Sequence, residues 1–227
     1  MPEDALPGGR RETQPTVLVT GRARALLRRV PLRLLAERGR PGDAAVVVTT
    51  RRDPAVVARR LCGAVAAFDP SVLALVDATS EATTSPRRVD ERRWHVPSPV
   101  AFGHLRAAID EALDVLGARD GVRVHVLFDT LTTQFLLADA DAVLQHAHDL
   151  ATALGAERGL GLFTMAPRVA RDDELGAVCH LVDVHVGVRR TAGGPQVRWT
   201  GLVGGTGGWV ALAETALRFD APGQRLE

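Results

Sequence analysis

Apolar residues in this chain gather in short, nearly unbroken runs, and between the runs they recur every three or four positions. Thr16–Thr20, Ala44–Thr50, Ser71–Ala78, Val122–Phe128, Leu160–Met165 and Leu181–Val188 are runs of the first kind. Their lack of polar alternation predicts strands buried on both faces. The second kind predicts helices over Arg22–Arg38, with Leu26, Leu27, Val30, Leu34 and Leu35 on one side, and over Phe102–Leu116, with Leu105, Ile109, Leu113 and Leu116. Further helices are expected at Ala140–Leu154 and Asp172–Val178, and one after Asp53-Pro54, where Asp is set to cap and Pro to open the first turn. Pro31 predicts a kink or a late start for its helix. Arg40–Asp43 reads as a turn. Thr79–Pro97 is polar, rich in Arg and without hydrophobic period, so it reads as a surface excursion. Gln196–Val203 and Val210–Phe219 have no helix between them and are expected to close the chain as an antiparallel meander.

Strands alternating with helices specify an α/β fold. Its central sheet is expected to be mostly parallel, with helices on both faces and antiparallel strands at the C-terminal end. Residues 1–14, polar and holding Pro2, Pro7, Gly8 and Gly9, read as a disordered tail. Residues 15–220 read as a single domain and 221–227 as a second tail.

Composition narrows the function classes. A hydrophobic share of 46% over 227 residues supports a full core, and a net charge of +1 gives no strongly charged surface overall. No apolar run suits a signal peptide or a membrane span, so a cytoplasmic protein without a membrane partner is expected. Cys62 and Cys179 lie far apart in apolar contexts and read as small core residues, not as a redox or zinc pair. All 28 basic residues are Arg; Lys, Asn and Tyr are absent, and Ile109 is the only Ile. That skew follows from coding rich in G and C. It also leaves no lysine for a phosphate loop.

The candidate chemistry lies after the first strand. Gly21 stands where a phosphate-binding loop G-x-x-x-x-G-K-[S/T] would open. At that spacing Leu26 falls on the second Gly, Leu27 on the Lys and Arg28 on the hydroxyl residue. Val124–Phe128 runs into Asp129-Thr-Leu-Thr132, an acidic strand end of the kind that holds magnesium in such enzymes.

Taken together these segments resemble the RecA/KaiC superfamily of P-loop ATPases. Val72–Asp77 followed by Ala-Thr-Ser is similar to the KaiC-type third strand, and Val124–Thr132 to a Walker B strand and its Ser/Thr-rich turn. The order of Val96–Pro99, Leu127–Thr132, His148 in Ala-His-Asp-Leu and Leu181–Val186 more closely resembles haloarchaeal KaiC-like proteins labelled HTR-like. The resemblance implies a RecA/KaiC-like P-loop fold, side-by-side packing in homo- or hetero-oligomers, and a pair of carboxylates after the second strand to position water. Here that pair is replaced by Arg51 and Arg52, and Asp53 is better explained as a helix cap.

The expectation is therefore a non-catalytic pseudo-ATPase that uses no cofactor and works through a protein partner, in regulation or signalling. The Arg-rich stretch Pro86–Trp94 is one candidate contact. Trp199 and Trp209, flanking the glycine-rich hairpin loop Gly204–Gly208, are suited to cover a sheet edge or a partner patch. Two alternatives stay open. One is an ATP-binding ATPase with a remodelled loop. Arg22 and Arg24 near a helix N-terminus, with Arg51 and Arg52 at the same sheet edge, would then contact the anion. The other is a nucleic-acid-binding regulator, supported only by the Arg clusters.

Overall fold

The computed structural model describes residues 15–64, 68, 70–79, 85–155, 159–201 and 207–212. The apolar runs form strands β1 (Thr16–Gly21), β2 (Ala44–Thr49), β3 (Leu73–Asp77), β6 (Val124–Asp129), β7 (Gly161–Met165) and β8 (Val184–Thr191). Two strands not anticipated, β4 (Arg87–Asp90) and β5 (Arg93–His95), precede β6. β9 (Gly194–Gly201) and β10 (Val210–Ala211) follow β8. The order across the ten-stranded sheet is β10-β9-β8-β1-β7-β6-β2-β3-β5-β4. From β8 across to β5 every neighbouring pair is parallel, and the strands beyond each end are antiparallel. The fold is the expected α/β class.

Helices α1 (Arg24–Arg38) and α2 (Pro54–Ala64) cover one face. Helices α3 (Phe102–Val115), α5 (Ala140–Gly155) and α6 (Asp172–His180) cover the other, and a short α4 (Leu131–Leu137) follows β6 directly. Successive residues of a strand point to opposite faces. Val17, Val19, Ala45 and Val47 accordingly pack under α1 and α2, whereas Leu18, Val46, Val48 and Phe128 pack under α3 and α5. Unbroken apolar runs follow from a sheet with two buried faces.

α1 starts at Arg24 and carries Pro31, buried, within it, so the late-start expectation is corrected. Asp53 caps α2 through Ala55 N–H (2.8 Å), with Pro54 as the first helical residue, as anticipated. The surface-excursion reading of Thr79–Pro97 is also corrected in part. β5 pairs with β3 while β4 folds back on it, and Trp94 and Val96 are buried in the core. The Trp94 indole N–H donates to Glu111 at 2.7 Å on α3. Apolar side chains at positions 94 and 96 alone drive this pairing, and the surrounding arginines hide them. Residues 80–84 lie outside the described residues, as do the tails 1–14 and 221–227, most of Gly204–Gly208 and the stretch 213–219 of the expected last strand. Trp209 lies between two guanidiniums, Arg189 at 4.1 Å and Arg198 at 5.1 Å from its ring centre. It thus covers part of the β8–β9 surface.

The amino-terminal edge of the sheet is tied by a buried ion cluster. Asp43 accepts from Arg123 (2.8 and 2.9 Å) and from His125 Nε2 (3.0 Å). His125 Nδ1 accepts the Leu160 amide, which fixes its proton on Nε2. Burial alone would raise the Asp43 carboxyl, but the hydrogen bonds from His125, Arg123 and Arg40 hold it below the ordinary carboxylate value.

Candidate functional site

The carboxyl ends of β1, β2, β6 and β7 meet at one edge of the sheet, where α1 and α2 begin. In open α/β sheets this edge is where ligands bind. Gly21 is the last residue of β1 and is buried. A Cβ there would lie 2.3 Å from the Val188 carbonyl oxygen and 2.4 Å from Val188 Cγ2. Close approach of β8 therefore accounts for the glycine without any ligand.

Only Arg22 and Ala23 separate β1 from α1. Ala23 caps the helix with no side-chain acceptor, and its carbonyl takes the amides of Leu26 (2.8 Å) and Leu27 (3.1 Å). Leu26 is fully buried on the sheet side of α1, while Leu27 and Arg28 line a cavity. Two amides at the position of a phosphate cradle, those of Leu26 and Leu27, are thus bonded within the first helical turn.

Asp129 ends β6 and is 5% exposed. Its Oδ1 accepts from Arg52 Nη2 at 2.8 Å and, more distantly, from Thr164 Oγ1 at 3.4 Å. Oδ2 is buried with no hydrogen-bond partner among the described residues. Burial pushes this carboxyl above its ordinary value, against the opposing charges of Arg52, Arg51 and Arg28. Burial also lowers the Arg52 pKa; Asp129 opposes that shift, and neighbouring Arg28, Arg51 and Arg60 add to it. Asp129 thus pairs with a guanidinium and not, as strand-end aspartates often do, with nearby backbone amides.

Threonine hydroxyls brace the floor. Thr50 Oγ1 donates to the Thr130 carbonyl (2.8 Å) and accepts its amide (3.0 Å). Thr130 Oγ1 donates to the Thr164 carbonyl (2.6 Å), and Thr132 Oγ1 accepts the Ala166 amide (2.8 Å). The Asp129–Thr130 peptide bond is cis. Gln134 of α4 donates to the Pro99 carbonyl (2.8 Å), which joins two of the segments that carried the family resemblance.

Above this floor lies a cavity of about 460 Å³ lined by Arg22, Arg24, Arg28, Arg51, Arg52 and Arg168. The structure thus brings together the predicted site residues Arg22, Arg24, Leu27, Arg28, Arg51, Arg52 and Asp129. Gly21 and Leu26 are turned into the packing beside it. Sequence reading missed Arg168, Thr164 and Leu136. Arg168 follows β7 in a short 3-10 turn, and only the strand order places β7 beside β6. Leu136 belongs to α4, whose Thr-Leu-Thr-Thr opening reads locally as a turn.

Residues 15–188 match the family of unknown function DUF7504. The chain belongs to this family. No curated protein matches it. Among solved structures it is similar to the uncharacterized protein PH0321 of Pyrococcus horikoshii, determined in complex with an unknown peptide, at a TM-score of 0.56 and 10% identity. That match covers 83% of this chain and 84% of the other. It is also similar to the KaiC-like protein PH0186 of Pyrococcus horikoshii OT3, at a TM-score of 0.50 and 12% identity, covering 82% and 76%. At these identities the likeness concerns the fold, which is RecA/KaiC-like. No described helix of this family member is long and apolar enough to cross a membrane.

Proposed function

We propose that the chain is a pseudo-ATPase of RecA/KaiC-like fold, from the haloarchaeal HTR-like branch. It acts through protein–protein contact in regulation or signalling. The observation that carries this reading is the two-residue connection Arg22–Ala23, with Arg52 set against Asp129. Hydrolysis of a nucleoside triphosphate needs inward-turned loop amides, a lysine on the terminal phosphates, a carboxylate and hydroxyl for magnesium, and a base that orients water. In this chain the Leu26 and Leu27 amides bond to Ala23, no lysine exists, the carboxylate is matched by a guanidinium, and arginines stand in place of the bases. Magnesium–ATP does not fit this residue set.

The contact surface is assigned to α4. Leu136 and Leu137 are 65% and 59% exposed, consecutive on a helix braced by Gln134, and Leu136 lines the cavity. Adjacent exposed leucines of this kind mark contact surfaces. The peptide held by a fold neighbour is in keeping with this reading. The decisive experiment is light scattering and native-host co-purification with wild type and Leu136→Asp/Leu137→Asp. The variant should keep its melting temperature and lose the oligomer or the partner. Retention of both would contradict the assignment.

A further inference from the structure

We infer that the arginine cavity binds a compact polyanion of the oligophosphate class through its guanidiniums, without a divalent cation. The inference rests on the reading that magnesium has no place at Asp129.

Several arginines elsewhere in the fold are matched to acids. Arg33 pairs with Glu37, Arg106 with Asp110, Arg119 with Asp114 and Arg123 with Asp43. In the cavity only Arg52 is matched. Arg22, Arg24, Arg28, Arg51 and Arg168 make no ion pair among the described residues, although they come from three separate segments that converge on one concave space. Two buried donors there, Arg28 Nε and Arg52 Nε, have no acceptor among the described residues. A buried donor without an acceptor is costly, and clustered like charges in a partly desolvated space repel. A multiply charged anion removes both penalties at once. The amino end of α1 at the same wall adds a favourable field.

The chemistry points to phosphoryl groups. Guanidinium forks match tetrahedral phosphoryl oxygens in pairs, and five unmatched cations exceed what one carboxylate neutralises. A volume of about 460 Å³ suits a small molecule, not a duplex or a folded partner. Asp129, whose Oδ2 lies on the floor, is the one group that opposes such a ligand. This gives the inference a sign opposite to that of a magnesium-dependent site, where the same carboxylate is indispensable.

The test is calorimetric titration of the full chain with sodium tripolyphosphate in EDTA, then with ATP in EDTA, then with each in excess magnesium. Binding is expected in EDTA, and it should weaken in magnesium, which masks the ligand's charge. Arg24→Ser and Arg168→Ser, both exposed positions, should each weaken binding by about tenfold. Asp129→Asn should bind as tightly or more tightly. Arg119→Ala, paired on the far side of the fold, should leave binding unchanged. Equal affinity for the two ligands would identify a bare oligophosphate site, and tighter ATP binding a nucleotide site; both outcomes support the inference. Three results would overturn it: no heat at millimolar tripolyphosphate, affinity untouched by the arginine changes, or binding that requires magnesium and is lost in Asp129→Asn. The first two leave the pseudo-ATPase reading untouched, whereas the third would count against both, so the two failures can be told apart.

Discussion

A methyl group on Gly21 would meet the Val188 carbonyl and side chain at under 2.5 Å on a strand held rigidly between β7 and β8. Gly21→Ala is therefore expected to cost about 1–3 kcal/mol through overpacking, read as a lower denaturation midpoint with no accompanying change in ligand binding. Arg52 carries a different kind of consequence. Its removal leaves Asp129, 5% exposed, as a buried carboxylate with one weak hydrogen bond from Thr164. Arg52→Ala should destabilise by roughly 3–5 kcal/mol at neutral pH, and the double variant with Asp129→Asn should recover much of that loss. Equal destabilisation of the single and double variants in urea denaturation would show that the pair is not what holds this edge.

At the scale of elements, α5 is seated on the sheet and against α3 through His146. The ring stacks on Phe102 (4.5 Å between centres) and meets Phe128 edge-on at 6.2 Å, and its Nε2 is buried without a partner among the described residues. Burial lowers its pKa from 6.5 to about 4; Asp149 on the same helix opposes the shift and Arg106 on α3 adds to it. A folded pKa below the unfolded one gives stability that is complete above the unfolded value and is lost as pH falls through the folded one. Stability should thus decline between about pH 6.5 and pH 4, by on the order of 3 kcal/mol if the shift is fully expressed. Denaturation of His146→Leu across that range should show a flatter profile; an unchanged slope would remove His146 as the cause. His148, two residues on, is exposed.

The same scale shows what could be read in the sequence. The doubly buried strands announced themselves as unbroken apolar runs, and α1, α3 and α5 as 3.6-residue periods. The β4–β5 hairpin did not, because only Trp94 and Val96 face the core between arginines. α4 did not either, because its apolar residues are consecutive and two of them, Leu136 and Leu137, face outward. At the site, the departures of Leu27, Arg28, Arg51 and Arg52 from the phosphate-loop pattern could be read by counting from Gly21 and Thr49. The shortness of the connection could not, since where a helix begins depends on which amides Ala23 captures. Arg168 was invisible because strand order, not chain order, brings it to the cavity.

For the whole molecule, the fold has the RecA/KaiC-like sheet and crossovers, with an acidic strand end where an ATPase of that fold would hold magnesium. At the edge where such an enzyme does its chemistry it presents guanidiniums and leucines. The proposed function requires that this edge does not turn over ATP. It is tested most directly by steady-state phosphate release from ATP with magnesium, at high protein concentration, for wild type and Asp129→Ala. Release at the buffer background in both proteins is the result expected here. Magnesium-dependent release by wild type that disappears in Asp129→Ala would contradict the claim.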